Sequence, residues 1–169
     1  MPRLFFALWP DTSTSLKLAE VGRESDLDGR RLLPARKLHI TIEFPGMVDP
    51  ACCQELITAA GKVVARRFSL LINTSGWWKR ARIAWLAPNP VPAGLSELHQ
   101  AIHALVLAAG VPVQDRPYSP HITLARNINM PVKLEFEPIY WEVSDFCLVE
   151  SNTRPQGAEY QIIRRWPLT

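Results

Sequence analysis

The stretch KLHITIEF covers Lys37–Phe44 and SPHITLAR covers Ser119–Arg126, so one short chain spells His-Ile-Thr twice. In the first copy Leu38, Ile40 and Ile42 alternate with His39, Thr41 and Glu43, the period of two expected of a half-buried strand. In the second, Ile122 and Leu124 alternate with His121 and Thr123. Residues two apart on a strand share a face, so each copy presents one imidazole with one hydroxyl while its aliphatic residues turn to a core. Two such copies point to two similar halves. Approximate twofold symmetry between the halves would set the two imidazoles across one cleft.

The flanking sequence supports this reading. Leu4–Leu8 is a continuous apolar run, as in a buried strand, and Asp11 is placed to cap a helix reaching about Gly22. The Arg/Leu/Pro-rich stretch 29–36 reads as a loop. After the first copy, Asp49-Pro50 marks a helix start, and Leu56, Ile57, Ala60, Val63 and Val64 predict a helix ending near Arg66. The second half follows the same order: strands near Phe68–Asn73 and Arg82–Leu86, then a helix from about Gly94 to Ala109. Leu95, Leu98, Ile102, Leu105 and Val106 form its apolar stripe, and Gly110 ends it. His121–Ala125 is the second motif strand, and Trp141–Glu150 and Tyr160–Trp166 close the chain. No low-complexity linker interrupts residues 1–169, which predicts a single α+β domain. Its two similar lobes each hold a mostly antiparallel sheet with helices on the outer face, around a central cleft.

A chain of 169 residues with 47% apolar content can bury a sizeable core and is not of disordered composition. Its formal charge is only +3, from 19 Lys and Arg against 16 Asp and Glu, so attraction to a polyanion depends on local clusters. These occur at Arg30-Arg31 with Arg36-Lys37, at Arg66-Arg67, at Lys79-Arg80 with Arg82, and at Arg164-Arg165. Cys52, Cys53 and Cys147 form neither an even disulfide framework nor a metal pair of the C-x-x-C kind, which suits a reducing cytoplasm. The apolar run Leu4–Trp9 is too short for a signal segment or a membrane span, so no membrane partner is expected.

Histidine is near half-protonated around neutral pH, so two of them in one cleft can supply a proton donor and a proton acceptor together. Phosphodiester cleavage needs that pair: the attacking oxygen loses a proton on one side of phosphorus while the leaving oxygen gains one on the other. The non-bridging oxygens need hydrogen-bond donors, which two threonine hydroxyls can provide. Each acid or base is typically worth about 100 to 10,000-fold, so the pair accounts for roughly 5 to 11 kcal/mol of barrier. A single His-x-Thr in a strand is an ordinary occurrence, and two surface histidines are the plain alternative. Duplication at matching places is what favours chemistry.

The pair of motifs resembles the signature of the two-histidine phosphoesterases, and is most similar to the bacterial and archaeal RNA 2',3'-cyclic phosphodiesterases, also called 2'-5' RNA ligases. The resemblance extends over RLFFAL, LHITIEFPG, RARIAWL, RPYSPHITLAR, FCLVES and EYQIIRRWPL. It implies hydrolysis of a terminal 2',3'-cyclic phosphate on RNA to a 2'-phosphomonoester, with the reverse 2'-5' ligation as a further capability, without metal or cofactor. A monomer is expected, though the sequence itself does not decide whether the protein dimerises. RNA ends, tRNA fragments among them, are the implied partner. Carried over by the resemblance, His39 is the proton donor and His121 the acceptor, while Thr41 and Thr123 hold the phosphate. The near symmetry of the sequence does not itself assign those roles. Arg126 matches a basic position that often follows the second motif, and serves either the phosphate or a surface salt bridge. Pro45 departs from the family pattern and leaves the end of the first motif strand open.

Other features compete for attention. His99 and His103 stand four apart on a predicted helix, a spacing able to hold zinc, but Gln100 replaces the glutamate of a zinc-protease signature and no third ligand is apparent. No metal is therefore expected. Trp77-Trp78-Lys79-Arg80-Ala81-Arg82 reads either as a base-stacking platform or as one core tryptophan followed by a solvated turn. Tyr118 and Phe44 either stack a base or close the cleft. Two other functions fit less of the pattern: a non-catalytic RNA- or tRNA-binding protein, and a related phosphodiesterase acting on small cyclic nucleotides or 2'-5' oligoadenylate.

Overall fold

The computed structural model describes residues 1–27 and 31–169. The chain opens with β1 (Arg3–Leu8) and α1 (Thr12–Glu24), whose N-cap is Asp11: its Oδ1 accepts from the Thr14 N–H at 2.7 Å. A two-residue strand β2 (Arg31–Leu32) and a 3-10 turn (Ala35–Lys37) lead to β3 (Ile40–Met47) and α2 (Pro50–Ala60), which Asp49 caps in the same way. Then follow β4 (Phe68–Trp78), β5 (Ile83–Pro88), α3 (Ala93–Ala108), β6 (Ile122–Arg126), β7 (Ile139–Val143), β8 (Asp145–Arg154) and β9 (Gly157–Pro167).

All strands join one antiparallel nine-stranded sheet in the order β7-β4-β5-β6-β3-β1-β8-β9, with β2 added beside β6. Its centre is the seam between β3 and β6, the two motif strands, where Ile40 pairs with Ile122. Outward from the seam lie β3-β1-β8-β9 on one side and β6-β5-β4-β7 on the other, which are the two expected lobes. Each contains a strand, a helix and a motif strand in chain order: β1-α1-β3 and β5-α3-β6. The helices exchange sides. The helix α1 packs on β6 and β7, and α3 packs on β3 and against α2.

That exchange builds one core from both lobes. Leu4, Phe6, Leu8, Ile40 and Ile42 from one lobe share a buried cluster with Leu70, Ile72, Leu86, Ile122 and Leu124 from the other, beneath Leu18, Leu56, Leu98 and Ile102 of the helices. A fully buried side chain of this kind contributes about 1.5–3 kcal/mol, so the shared cluster dominates the stability of either lobe alone. On the opposite face of the sheet the described residues form two small buried clusters. Phe5, Ala7, Cys147 and Val149 form the first, and Leu27, Ala84, Ala125 and Ile128 the second. The motif polar residues lie between them.

Several boundaries differ from expectation, each for a tertiary reason. The helix α2 stops at Ala60, with Gly61 at its C-cap, although Val63 and Val64 continue the helical spacing. The C-terminus takes the following backbone instead: Thr169 N–H donates to the Ala65 carbonyl and Arg67 N–H to that of Thr169. The expected strand Trp141–Glu150 is two strands, because β7 pairs with β4 in one lobe and β8 with β1 in the other. Ser144 is where the chain crosses over. The stretch read as a loop carries β2 and the 3-10 turn, and Arg30 lies outside the described residues. The strand β3 runs through Pro45 because a register shift against β1 accommodates it, with Gly46 at φ +77° supplying the left-handed turn. The described residues contain no helix long and apolar enough to cross a membrane.

Candidate active site

Each motif histidine sits immediately before its strand, and each is held by the same local bond. His39 Nδ1 donates to the Lys37 carbonyl at 2.8 Å, and His121 Nδ1 donates to the Ser119 carbonyl at 2.9 Å. A carbonyl only accepts, so both rings carry hydrogen on Nδ1 and leave Nε2 free for chemistry. The repeated spelling thus encodes a repeated tautomer.

The seam register places these groups relative to one another. Ile40 lies opposite Ile122 in an antiparallel pair, and the same register carried one residue further on either side sets Thr41 against His121 and His39 against Thr123. Directly opposed residues have Cβ atoms about 5 Å apart and diagonal ones about 7–8 Å. The imidazoles therefore occupy one diagonal of a small square and the hydroxyls the other. That is the arrangement a tetrahedral phosphorus needs, with proton-transfer groups on opposite sides and donors between them.

The two rings differ in surroundings. Trp9 stacks on His39 with centroids 4.8 Å apart and planes within 6°, while Phe5 lies at 5.0 Å and Tyr160 at 5.2 Å, edge-on. Lys37 straps this cage to the β8–β9 hairpin, its Nζ donating to the Ala158 carbonyl at 2.6 Å and to Glu159 at 3.1 Å. Burial pushes the His39 pKa down to about 4, and the charges of His121 and Arg126 add to the fall against the opposing bond to Lys37. His121 has a single aromatic neighbour, Trp78, edge-on at 4.4 Å. Its pKa also lies below the ordinary histidine value, chiefly through burial, with Arg116 and Arg126 contributing. A bound anion would oppose both shifts.

A cleft of about 620 Å³ is lined by Thr41, His121, Trp78 and Arg116 together with Glu43, Phe44, His99, His103 and Tyr118, while His39, Thr123 and Arg126 lie outside its lining. Thr123 is half-buried and paired with Trp85 on the floor of the second lobe. Arg126 is exposed, makes no ion pair with any described residue, and is close enough to depress both imidazoles. Of its two readings, the salt bridge has no partner among the described residues. Tyr118 lies flat on His99 at 3.9 Å and its hydroxyl donates to the Thr41 carbonyl at 3.0 Å. Phe44 is exposed beside Phe5 and beneath Arg3. The Trp-Arg segment divides. Trp77 donates to the Ile128 carbonyl and packs into the small cluster below it, Trp78 faces His121, and Lys79, Arg80 and Arg82 are solvated.

Sequence reasoning missed Phe5, Trp9 and Tyr160 around His39, and Arg116 and Glu43 in the cleft. The run Leu4–Trp9 is apolar on both faces, which hides the alternation that sends Phe5, Ala7 and Trp9 to the cleft side. Tyr160 reaches the cage through a hairpin more than a hundred residues away, for which no local signal exists.

Comparison with known proteins places this geometry in context. The family model described as the 2'-5' RNA ligase superfamily matches residues 9–155. A protein named RNA 2',3'-cyclic phosphodiesterase from Escherichia coli (strain K12) is 30% identical over 141 residues, covering 82% of this chain and 80% of its own length. A crystal structure of E. coli LigT with 3'-AMP superposes with a TM-score of 0.89 at 28% identity, covering 99% of this chain and 98% of that one. A crystal structure described as a phosphoesterase superposes with a TM-score of 0.90, also at 28% identity, over 100% and 99% of the two chains.

Proposed function

The chain belongs to the 2'-5' RNA ligase superfamily, and from that premise we propose that it hydrolyses 2',3'-cyclic phosphate ends of RNA to 2'-phosphomonoesters by paired imidazole catalysis. A water oxygen bonds to phosphorus as the bond from phosphorus to the 3' oxygen breaks. His121 Nε2 takes the water proton and His39 Nε2 gives its proton to the departing 3' oxygen. Thr41 and Thr123 donate to the non-bridging oxygens, and Arg126 and Arg116 favour the anion. The observation that carries this reading is the Ile40–Ile122 register, which joins the two motifs at the seam, together with the matching Nδ1 bonds that leave Nε2 of each ring for chemistry.

His39 is neutral at pH 7 in its aromatic cage, so its role as donor depends on the phosphate charge raising its pKa. Both halves of the site come from one chain, which supports action as a monomer. The three free cysteines suit a reducing cytoplasm, and RNA ends such as tRNA fragments are the substrate class we assign.

The test is an RNA oligonucleotide ending in a 2',3'-cyclic phosphate, incubated with the protein in EDTA and resolved by chromatography. The expected product ends in a 2'-phosphate, and its formation is lost in His39→Ala and His121→Ala variants of unchanged circular dichroism. Unaltered substrate, or full turnover by either variant, would overturn the assignment. Binding that ignores the cyclic end and responds only to salt would instead identify a non-catalytic RNA-binding protein.

A further inference from the structure

Glu43 lines the cleft where a register shift in β3 sets it opposite Phe6, on the helix-covered face of the sheet, and the proposed chemistry gives it no task. Sequence spacing offered His99 and His103 without a third ligand. The fold supplies it: α3 packs on β3 and sets both imidazoles against the Glu43 carboxylate. His103 Nδ1 lies 2.6 Å and His99 Nε2 3.7 Å from Glu43 Oε2, and the three donor atoms all fall within 4.8 Å of one another.

We propose that Glu43, His99 and His103 form a binding site for a divalent first-row transition cation of the zinc class, on the wall of the same cleft that holds His121. The inference stands apart from the cyclic-phosphate reading, because none of the three ligands belongs to the imidazole and hydroxyl square.

The donor set suits such an ion. Two neutral imidazoles and one carboxylate are borderline ligands that favour Zn²⁺ or its neighbours over Mg²⁺ or Ca²⁺, which require oxygen shells. Bonds of about 2.0–2.1 Å in a tetrahedral arrangement place donor atoms roughly 3.3 Å apart. The observed separations bracket that value, so small side-chain rotations suffice.

Two of the ligands are also oriented by separate partners. Glu43 Oε1 accepts from the Phe44 N–H at 2.9 Å, which leaves Oε2 for the ion. His99 is held flat against Tyr118, whose hydroxyl is anchored on the Thr41 carbonyl. His103 follows one helical turn later on the same face of α3. Such outer support is what tunes metal sites. Glu43 and His99 are largely buried, with side chains 13% and 18% exposed, while His103 at 33% borders the open cleft. Three protein ligands on the cleft wall leave a fourth position directed at the cleft, whose lining Glu43, His99 and His103 share with Thr41 and His121.

Calorimetric titration of EDTA-stripped protein with ZnCl2 at pH 7.5, where ordinary imidazoles are neutral, tests the site. The expected result is one equivalent bound by the wild type, weakened at least tenfold in His103→Ala and in His99→Phe. The second variant keeps a ring against Tyr118 while removing the ligand, so lost folding and lost ligation are distinguished. His121→Ala should retain the equivalent. CoCl2 in place of zinc should give the weak visible bands of nitrogen and oxygen ligation without the intense near-ultraviolet bands of thiolates. No bound equivalent in the wild type, wild-type affinity in either α3 variant, loss of binding in His121→Ala, or a thiolate spectrum from Cys52 or Cys53 would overturn the proposal.

Discussion

His39 and His121 share a backbone environment and differ in everything around it. Both give Nδ1 to the carbonyl two residues earlier, and both precede a strand at the seam. One is enclosed by Phe5, Trp9 and Tyr160, and the other has Trp78 as its single aromatic neighbour among the described residues. The duplicated fold thus repeats what sets the tautomer and leaves the flanking side chains free to set the proton affinity. Near-identical motifs can then take opposite roles in one reaction, provided the cages differ.

Removing either ring is the severest way to break that comparison. His39→Ala and His121→Ala should each lower kcat/KM by about 100 to 10,000-fold, the usual worth of one acid or base. The cages then predict a difference in pH behaviour. With both free-protein pKa values below the ordinary 6.5, the maximum of kcat/KM should fall on the acid side of pH 6.5. The maximum of kcat should lie at higher pH, since the bound phosphate holds a proton on His39. Coincident profiles centred at or above 6.5 would show that the cage does not govern the titration.

The same burial acts on stability. Unfolded, His39 binds its proton near 6.5; folded, only near 4. As pH falls through that interval the unfolded chain gains the proton first, so the native state loses stability, and the loss is complete below about 4. At about 1.4 kcal/mol per unit the loss is on the order of 3 kcal/mol. Urea unfolding at pH 7 and pH 4.5 should show a smaller acid loss in His39→Gln than in the wild type, and His121→Gln should recover less. Equal recovery would mean that the two rings are equally caged.

The second lobe has its own constraint behind His121. Gly76 pairs with Trp85 across β4 and β5, and a Cβ there would fall 2.2 Å from the Trp85 ring. Trp85 in turn packs on Trp78, with centroids 5.3 Å apart. Gly76→Ala should therefore destabilise the protein by about 1–3 kcal/mol, as overpacking does. It should also displace the Trp78 edge from His121, lowering activity without a matching effect on His39. Thermal melts and the pH profile measured together would separate the two consequences.

Local chemistry made much of this arrangement legible. Alternation revealed the motif strands, and Asp11 and Asp49 announced α1 and α2 because capping is decided within four residues. The duplication suggested that the motif strands could meet if the lobes were related by approximate twofold symmetry, and β3 does pair with β6. What stayed hidden depended on partners remote in sequence. Val63 and Val64 look helical until the C-terminal residues take the backbone after Gly61, and Ser144 looks like mid-strand until the sheet divides on either side of it. Glu43 reads as one more polar residue until α3 crosses to the other lobe and sets two histidines against it.

Arg126 offers the gentlest probe, because it bears on both rings at once. Its charge lowers both pKa values, so Arg126→Gln should raise both and move the kcat/KM profile toward neutral pH as a whole. The residue is exposed, so screening keeps the displacement small, and added salt should mimic part of it in the wild type. The variant should also raise KM, since the phosphate loses a cation. A profile that moved on one side only would place Arg126 beside a single histidine, and the seam would then be less symmetric electrostatically than its backbone is.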